Sequence, residues 1–280
     1  MKKRIFELKQ LEKFEIYLKN EERSDATIEK YMRDVRAFGT FVGEEDVKKE
    51  SVMNYKSKIG DIYAVASANS MIASINCFLR FCGWHDLCVK RFKIQKQVYC
   101  SEEKELTRSE YVRLLEAANA KHNERLNLII QTICGTGIRV SELQYITVEA
   151  LRSGEAIVNC KGKNRRIFIV PELKKKLLRY AKKQEIDSGA IFITRRNKPI
   201  TRSNIWREMK GLCEQAKVSP SKVFPHNLRH LFARTFYSID KDIAKLADIL
   251  GHSSIDTTRI YILTTCVEHK RRMKNMRLII

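Results

Sequence analysis

The sequence predicts a mainly helical protein of two domains, the second carrying one small antiparallel sheet. Apolar residues recur at three- and four-residue spacing through most of the chain, and a single pair of strand-like runs interrupts them. A charged segment without periodicity separates two helical regions. The length of 280 residues agrees, since single cores usually stop growing near this size.

Residues 1–95 read as a compact helical bundle. Leu8, Leu11, Phe14, Ile16 and Leu18 recur at mixed spacings before the polar break NEERSDAT. A second helix, from about Thr27 to Val42, carries Ile28, Tyr31, Val35 and Phe38 on one stripe, with Ser24 or Asp25 as a cap. Segments near Val47–Ile59 and Ser67–Cys82 complete the bundle, the last with Ile72, Ile75, Phe78 and Leu79. Its aromatic residues suit core packing better than base stacking. From Val89 to Thr107 charge replaces periodicity, and residues 96–106 are taken as a linker.

The second domain, 107–280, opens with Thr107 or Ser109 as a cap, followed by Tyr111, Leu114 and Leu115. Helix continues through Arg125–Gly135, and a short turn leads into Ile138–Leu143. Ala156–Cys160 and Arg166–Val170 read as two strands joined by a polar turn containing Gly162 and Asn164. GAIFIT reads as a short extra strand. From Ser203 the chain is mostly helical.

The formal net charge of +21 exceeds what solubility requires and concentrates polyanions around the protein. Nucleic acid is the expected partner. A membrane is disfavoured, because there is no run of about 18 uncharged apolar residues and no terminal anchor. The start MKKRIFELKQLEKF lacks an uninterrupted apolar stretch and does not read as a signal peptide, so a cytoplasmic protein is expected. Eight cysteines occur without a CxxC pair, the pattern of reduced thiols rather than a disulfide framework or zinc knuckle. No cofactor or metal is expected. His226 and His230 are four apart, yet no HExxH or compact carboxylate cluster accompanies them.

Four stretches of the second domain carry candidate chemistry. In the first, Gly135 and Gly137 permit a bend before a helix whose first turn would hold Arg139 beside free backbone donors. Taken alone, Arg139 is equally a surface arginine paired to Glu142. Lys161 lies in the hairpin turn, a place where lysines are often merely solvated. The proline of Pro225-His226-Asn227-Leu228-Arg229-His230 favours a helix start, and His226 and Arg229 share a face while His230 points elsewhere. Leu250-Gly251-His252 reads as a helix end and glycine turn, with Tyr261 nine residues after His252. Any one of these has a structural explanation. Together they supply what holding and attacking a phosphodiester without metal requires, since guanidinium forks match nonbridging phosphate oxygens.

TGIRVSEL, PHNLRHLFA and LGHSSIDTTRIYI, in this order, closely resemble the signature boxes of the tyrosine recombinases, a family that includes Xer-type resolvases and phage and transposon integrases. The resemblance is strong from about 107 to 265 and weaker over the bundle. It implies a helical core-binding, SAM-like N-terminal domain and a mixed, mostly helical catalytic domain. It implies Arg139, Lys161, His226, Arg229 and His252 as catalytic residues, Glu142 as a buried carboxylate support, and Tyr261 as the nucleophile. Cys160 stands where relatives commonly carry glycine, and Lys163 leaves open which amine reaches the leaving group.

A phenol of pKa about 10 is a poor nucleophile at neutral pH, so attack needs proton removal, for which His226 is the candidate base and Lys161 the acid at the departing 5′-oxygen. The expected partner is duplex DNA with paired inverted half-sites, bound by a homo- or hetero-tetramer with accessory proteins possible. The tail, with basic residues at 270–273 and apolar ones at 276–280, suits docking on a neighbour or on its own domain. The chain opens on the bundle, so a Xer-like or simple mobile-element recombinase is expected. The alternatives are strand relaxation of the type IB topoisomerase kind and a noncatalytic DNA-binding factor.

Overall fold

The computed structural model describes residues 3–93, 105–160, 163–194, 196–252, 254–262 and 274–275. The chain divides into two compact units, Met1–Lys96 and Gln97–Ile280.

The first unit is a bundle of α1 (Leu8–Asn20), α2 (Asp25–Val42), α3 (Lys49–Ile62) and α4 (Val65–Phe81). On α1 only Leu11, Phe14 and Leu18 turn inward, because only they keep the three-then-four spacing of one helix face; Leu8 and Ile16 are exposed. The stripe on α2 is Ile28, Met32, Val35, Phe38 and Val42, with Tyr31 only half-buried at its border. Phe78 of α4 is fully buried, and its ring meets that of Phe14 edge to face at 5.3 Å. Buried Asp34 is paired rather than orphaned, with Lys30 Nζ at 2.5 Å and the Ser74 hydroxyl donating at 2.9 Å.

Two asparagines of α4 hold the segment that follows. Asn76 exchanges hydrogen bonds with the backbone of Val89 at 2.8 and 3.0 Å, and Asn69 does so with Phe92 at 3.0 and 2.7 Å. Residues 89–92, polar and basic enough to read as linker, are therefore bound to the bundle. Most of the expected linker, up to residue 104, lies outside the described residues. Its end does not behave as one. Leu106 is fully buried, its carbonyl accepts from Arg234 Nη2 at 2.6 Å, and Glu105 pairs with the same guanidinium.

The second unit continues with α5 (Arg108–Ala120), α6 (Glu124–Thr136), α7 (Val148–Ser153), the strands β1 (Glu155–Cys160) and β2 (Lys163–Phe168), and α8 (Pro171–Lys183). It closes with α9 (Arg202–Lys210), α10 (Cys213–Ala216), α11 (Pro225–Asp240), α12 (Ile243–Leu250) and α13 (Ile255–Arg259). Thr107 caps α5, its hydroxyl accepting from Glu110 N at 3.2 Å while the Glu110 carboxylate accepts from Thr107 N at 2.8 Å. The main core gathers Leu114, Leu126, Ile133, Leu177, Ile205 and Leu228. A smaller cluster of Ala233, Leu246, Leu250 and Tyr261 sits against Phe232 and Phe236.

The strands pair antiparallel from Glu155↔Phe168 to Cys160↔Lys163, so β2 starts earlier than its hydrophobic run suggests. Asn164 belongs to the ladder opposite Asn159 rather than to the turn. GAIFIT forms no strand. It makes only the isolated bridges Thr147↔Ala190 and Ile193↔Pro199, and its consecutive residues Ile191 and Phe192 are both buried instead of alternating. No helix of the described residues is long and apolar enough to cross a membrane.

Truncating the fully buried Phe78 to alanine removes the ring shared by α1 and α4 and is expected to cost about 3–5 kcal/mol. Urea unfolding followed by circular dichroism checks this, and a midpoint equal to that of the unaltered chain contradicts the packing described.

Candidate active site

The site starts where α6 ends. Gly137 adopts φ 64°, and a Cβ there would lie 2.5 Å from the Phe232 ring, so both backbone and space demand glycine. Gly135 is ordinary helix. The bend delivers Arg139 to the head of a short 3-10 helix, Val140–Tyr145, rather than into the first turn of an α-helix. Glu142, only 5 % exposed in its side chain, accepts from Arg139 Nη1 at 2.9 Å and from the Arg139 backbone N at 2.9 Å. A second guanidinium, Arg165 of β2, reaches the same carboxylate through Nη2.

The end of α12 is the other fixed wall. Its last carbonyls have no partner within the helix, and three arginines from separate elements take them in order. Arg165 Nη1 donates to Ile249 O at 2.9 Å, Arg229 Nη2 to Leu250 O at 2.6 Å and Arg139 Nη2 to Gly251 O at 3.4 Å. Arg229, on α11, is 1 % exposed and also donates through Nη1 to Gly137 O. Gly251 turns the chain at φ 64° and aims His252 back at Arg229, whose Nη2 meets His252 Nε2 at 3.1 Å. Since a guanidinium only donates, Nε2 accepts and the imidazole proton sits on Nδ1, 2.9 Å from the buried Thr258 hydroxyl.

Tyr261 stands in a 3-10 turn after α13, 5 % exposed, with its hydroxyl 3.3 Å from His226 Nε2. Its ring is stacked on that of His252 at 5.3 Å. His230 does not point elsewhere. One turn beyond His226 on α11, its ring lies 4.8 Å from that of His226 and 4.2 Å from that of Tyr261. All three imidazoles are pushed toward the neutral form by burial first and by neighbouring positive charge second. His230 falls to about 4, with His226 and Arg229 adding to burial. His252 also falls to about 4, with Arg229 and Arg139 adding. His226 is lowered by burial, Arg229, Arg139 and Arg202. Burial and Arg139 bring the Arg229 guanidinium down to about 10, still charged at neutral pH.

The fold thus gathers five of the six residues singled out in the sequence: Arg139, His226, Arg229, His252 and Tyr261. Lys161 lies outside the described residues, and the side chain of Lys163 does too. Arg165 and His230 are the two members that sequence reading missed. A cleft of about 1000 Å³ is lined, among others, by Arg139, Glu142, Arg165 and His252. Among the described residues, no three His, Cys, Asp or Glu side chains converge as a metal site would. The arrangement offers positive donors, neutral imidazoles and a phenol, a set suited to an anionic ester.

Residues 104–265 match the model of the phage integrase family, and residues 11–85 match the phage integrase N-terminal SAM-like domain. The tyrosine recombinase XerA of Thermococcus kodakarensis is 30% identical over 94% of this chain and 93% of its own length. XerA of Pyrococcus furiosus is 27% identical over 100% of this chain and 98% of its own. Among solved structures, a XerA recombinase matches 97% of this chain and 99% of its own at 26% identity, with a TM-score of 0.53. A lambda integrase dimer bound to a COC′ core site matches 91% of this chain and 94% of its own at 19% identity and a TM-score of 0.74, a likeness of fold.

Because His230 and His252 titrate near 4 when folded and at about 6.5 when unfolded, the unfolded chain binds more protons between those values. Stability is therefore expected to fall as pH drops from about 6.5 toward about 4. Melting temperature against pH for the unaltered protein and for His230→Phe tests this. The variant should show the shallower acid decline, and parallel curves contradict the assignment.

Proposed function

This chain belongs to the phage integrase family of site-specific tyrosine recombinases, and on that premise we propose that it cleaves and rejoins duplex DNA through a 3′-phosphotyrosyl bond to Tyr261. The observation that carries the assignment is the convergence of the Tyr261 hydroxyl with neutral His226, on the same wall as Arg229 and His252. Tyr261 attacks the scissile phosphate in line. Its proton passes to His226 Nε2, which a lowered pKa keeps free to accept. Arg139, whose side chain is 38% exposed, and Arg229 hold the nonbridging oxygens and neutralise the charge that grows on them, while His252, accepting from Arg229 through Nε2, keeps that guanidinium in place. The 5′-oxygen leaves with a proton from Lys161, an assignment that rests on sequence alone, with Lys163 as its rival.

The phosphotyrosine conserves the energy of the broken bond, so a 5′-hydroxyl of another strand reverses the step without ATP. Exchange between strands is recombination. In this reading residues 1–95 form the core-binding domain and 105–280 the catalytic domain, with Glu105 and Leu106 held to it through Arg234, joined by 96–104. The protein works as a tetramer of its own or mixed protomers on paired inverted half-sites, with accessory proteins where a site requires them. DNA-bound dimers and a tetramer on a Holliday junction among integrases of the same fold support the oligomer. A DNA substrate and the strongly basic composition support a cytoplasmic location.

Incubating the protein with a labelled, nicked duplex that carries a candidate inverted-repeat site sought beside its gene should give a covalent protein–DNA band at a 3′ end in EDTA. Tyr261→Phe should abolish the band while leaving DNA binding intact. Tight specific binding without a band would make the protein a binding factor, and a band with relaxation but no partner exchange would make it topoisomerase-like. Losing a direct phosphate donor in Arg229→Ala should slow band formation by about 100- to 1000-fold.

A further inference from the structure

We propose that Arg165 is a positioning residue for cleavage, setting the guanidinium of Arg139 through the carboxylate that the two share. The proposal rests on the recombinase reading above. The Arg165 side chain is 10% exposed, and its two terminal nitrogens are spent on different elements, Nη2 on Glu142 and Nη1 on Ile249 O at 2.9 Å. Glu142 is divided in turn. Its Oε1 takes Arg139 Nη1, and its Oε2 takes both Arg139 N and Arg165. The carboxylate is braced from two sides, so it cannot follow either arginine without losing the other.

Arg139 is the more exposed of the two and has one further tether, the 3.4 Å bond to Gly251 O. Removing Arg165 leaves a buried carboxylate with one guanidinium instead of two and unties Ile249 from β2. Arg139 would then swing with Glu142 rather than stay where an in-line attack needs it, and small misplacements of a positioning group are expensive in rate. Lysine cannot replace the fork, because a single ammonium does not present two divergent planar donors to the carboxylate and the carbonyl. Arg165 also lies on the strand that follows Lys161 in sequence. Hairpin and phosphate-binding arginine are thus joined at one carboxylate.

The test measures single-turnover adduct formation on a nicked duplex that the unaltered protein cleaves, so that failure of this inference is separate from failure of the recombinase reading. Arg165→Met, Arg165→Lys, Arg139→Ala and the double variant Arg139→Ala/Arg165→Met are compared on a phosphate and on a methylphosphonate at the scissile position. Loss of a group that supports a directly acting one typically costs roughly 10- to 100-fold, and that is the slowing expected of Arg165→Met, with DNA affinity unchanged. Arg165→Lys should recover only part. The loss should vanish when Arg139 is already alanine, and it should shrink on the methylphosphonate, which lacks the charge that Arg139 neutralises. A rate equal to that of the unaltered protein would overturn the proposal. So would a loss that adds in full to that of Arg139→Ala, or one equal on both linkages, as general damage to the fold produces. If Arg165→Met does not fold, Arg165→Lys carries the same comparisons.

Discussion

Everything in the site depends on the C-terminal end of α12. A helix end offers carbonyls without partners and a negative dipole, so it attracts cations. Here three consecutive carbonyls, of Ile249, Leu250 and Gly251, each receive a different arginine. Guanidiniums repel one another, and one carboxylate, Glu142, is shared by two of them and offsets part of their charge. The helix end thus provides at once the attachment points and part of the compensating charge. It also fixes direction, because each N–H spent on a carbonyl orients the planar group around it.

Burial, reinforced by that concentration of positive charge, sets the state of the histidines. Each imidazole near Tyr261 is held neutral by burial and by the arginines. Neutrality is what lets His252 accept from Arg229 while donating to Thr258, and what leaves a nitrogen of His226 facing the phenol. A charged imidazole would do neither. The same field that suits an anionic ester therefore adds to burial in preparing the base, so binding and proton transfer share part of one electrostatic arrangement.

The fold was legible wherever one helix face carried the signal. Phe14, Val35 and Phe78 read correctly as core because period and burial agree. Reading failed where burial ignores period. Ile191 and Phe192 are adjacent yet both inside, which imitates a strand without forming one. Leu8 and Ile16 are apolar but off the face. In the site, Arg139, His226, Arg229 and His252 stand out beside a glycine or proline, whereas Tyr261 stood out through the box LGHSSIDTTRIYI and its resemblance. Arg165 could not be, for it lies in a run of basic residues and owes its place to Glu142, twenty-three positions away and in another element. His230 was misread for a geometric reason. Residues four apart on a helix remain neighbours, so it shares with His226 the side that Tyr261 covers.

The turn at Gly251 has an evolutionary corollary. A Cβ at this position would lie 2.6 Å from Cδ of Arg165, which is no loose end, since the atoms beyond it are tied to Glu142 and Ile249. The glycine leaves a slot through which the hairpin's arginine passes, and its φ of 64° disfavours other residues independently. Positions 165 and 251, distant in sequence, are therefore under one selection. A descendant that acquires a side chain at 251 must shorten the one at 165, so drift at the two sites is paired rather than independent.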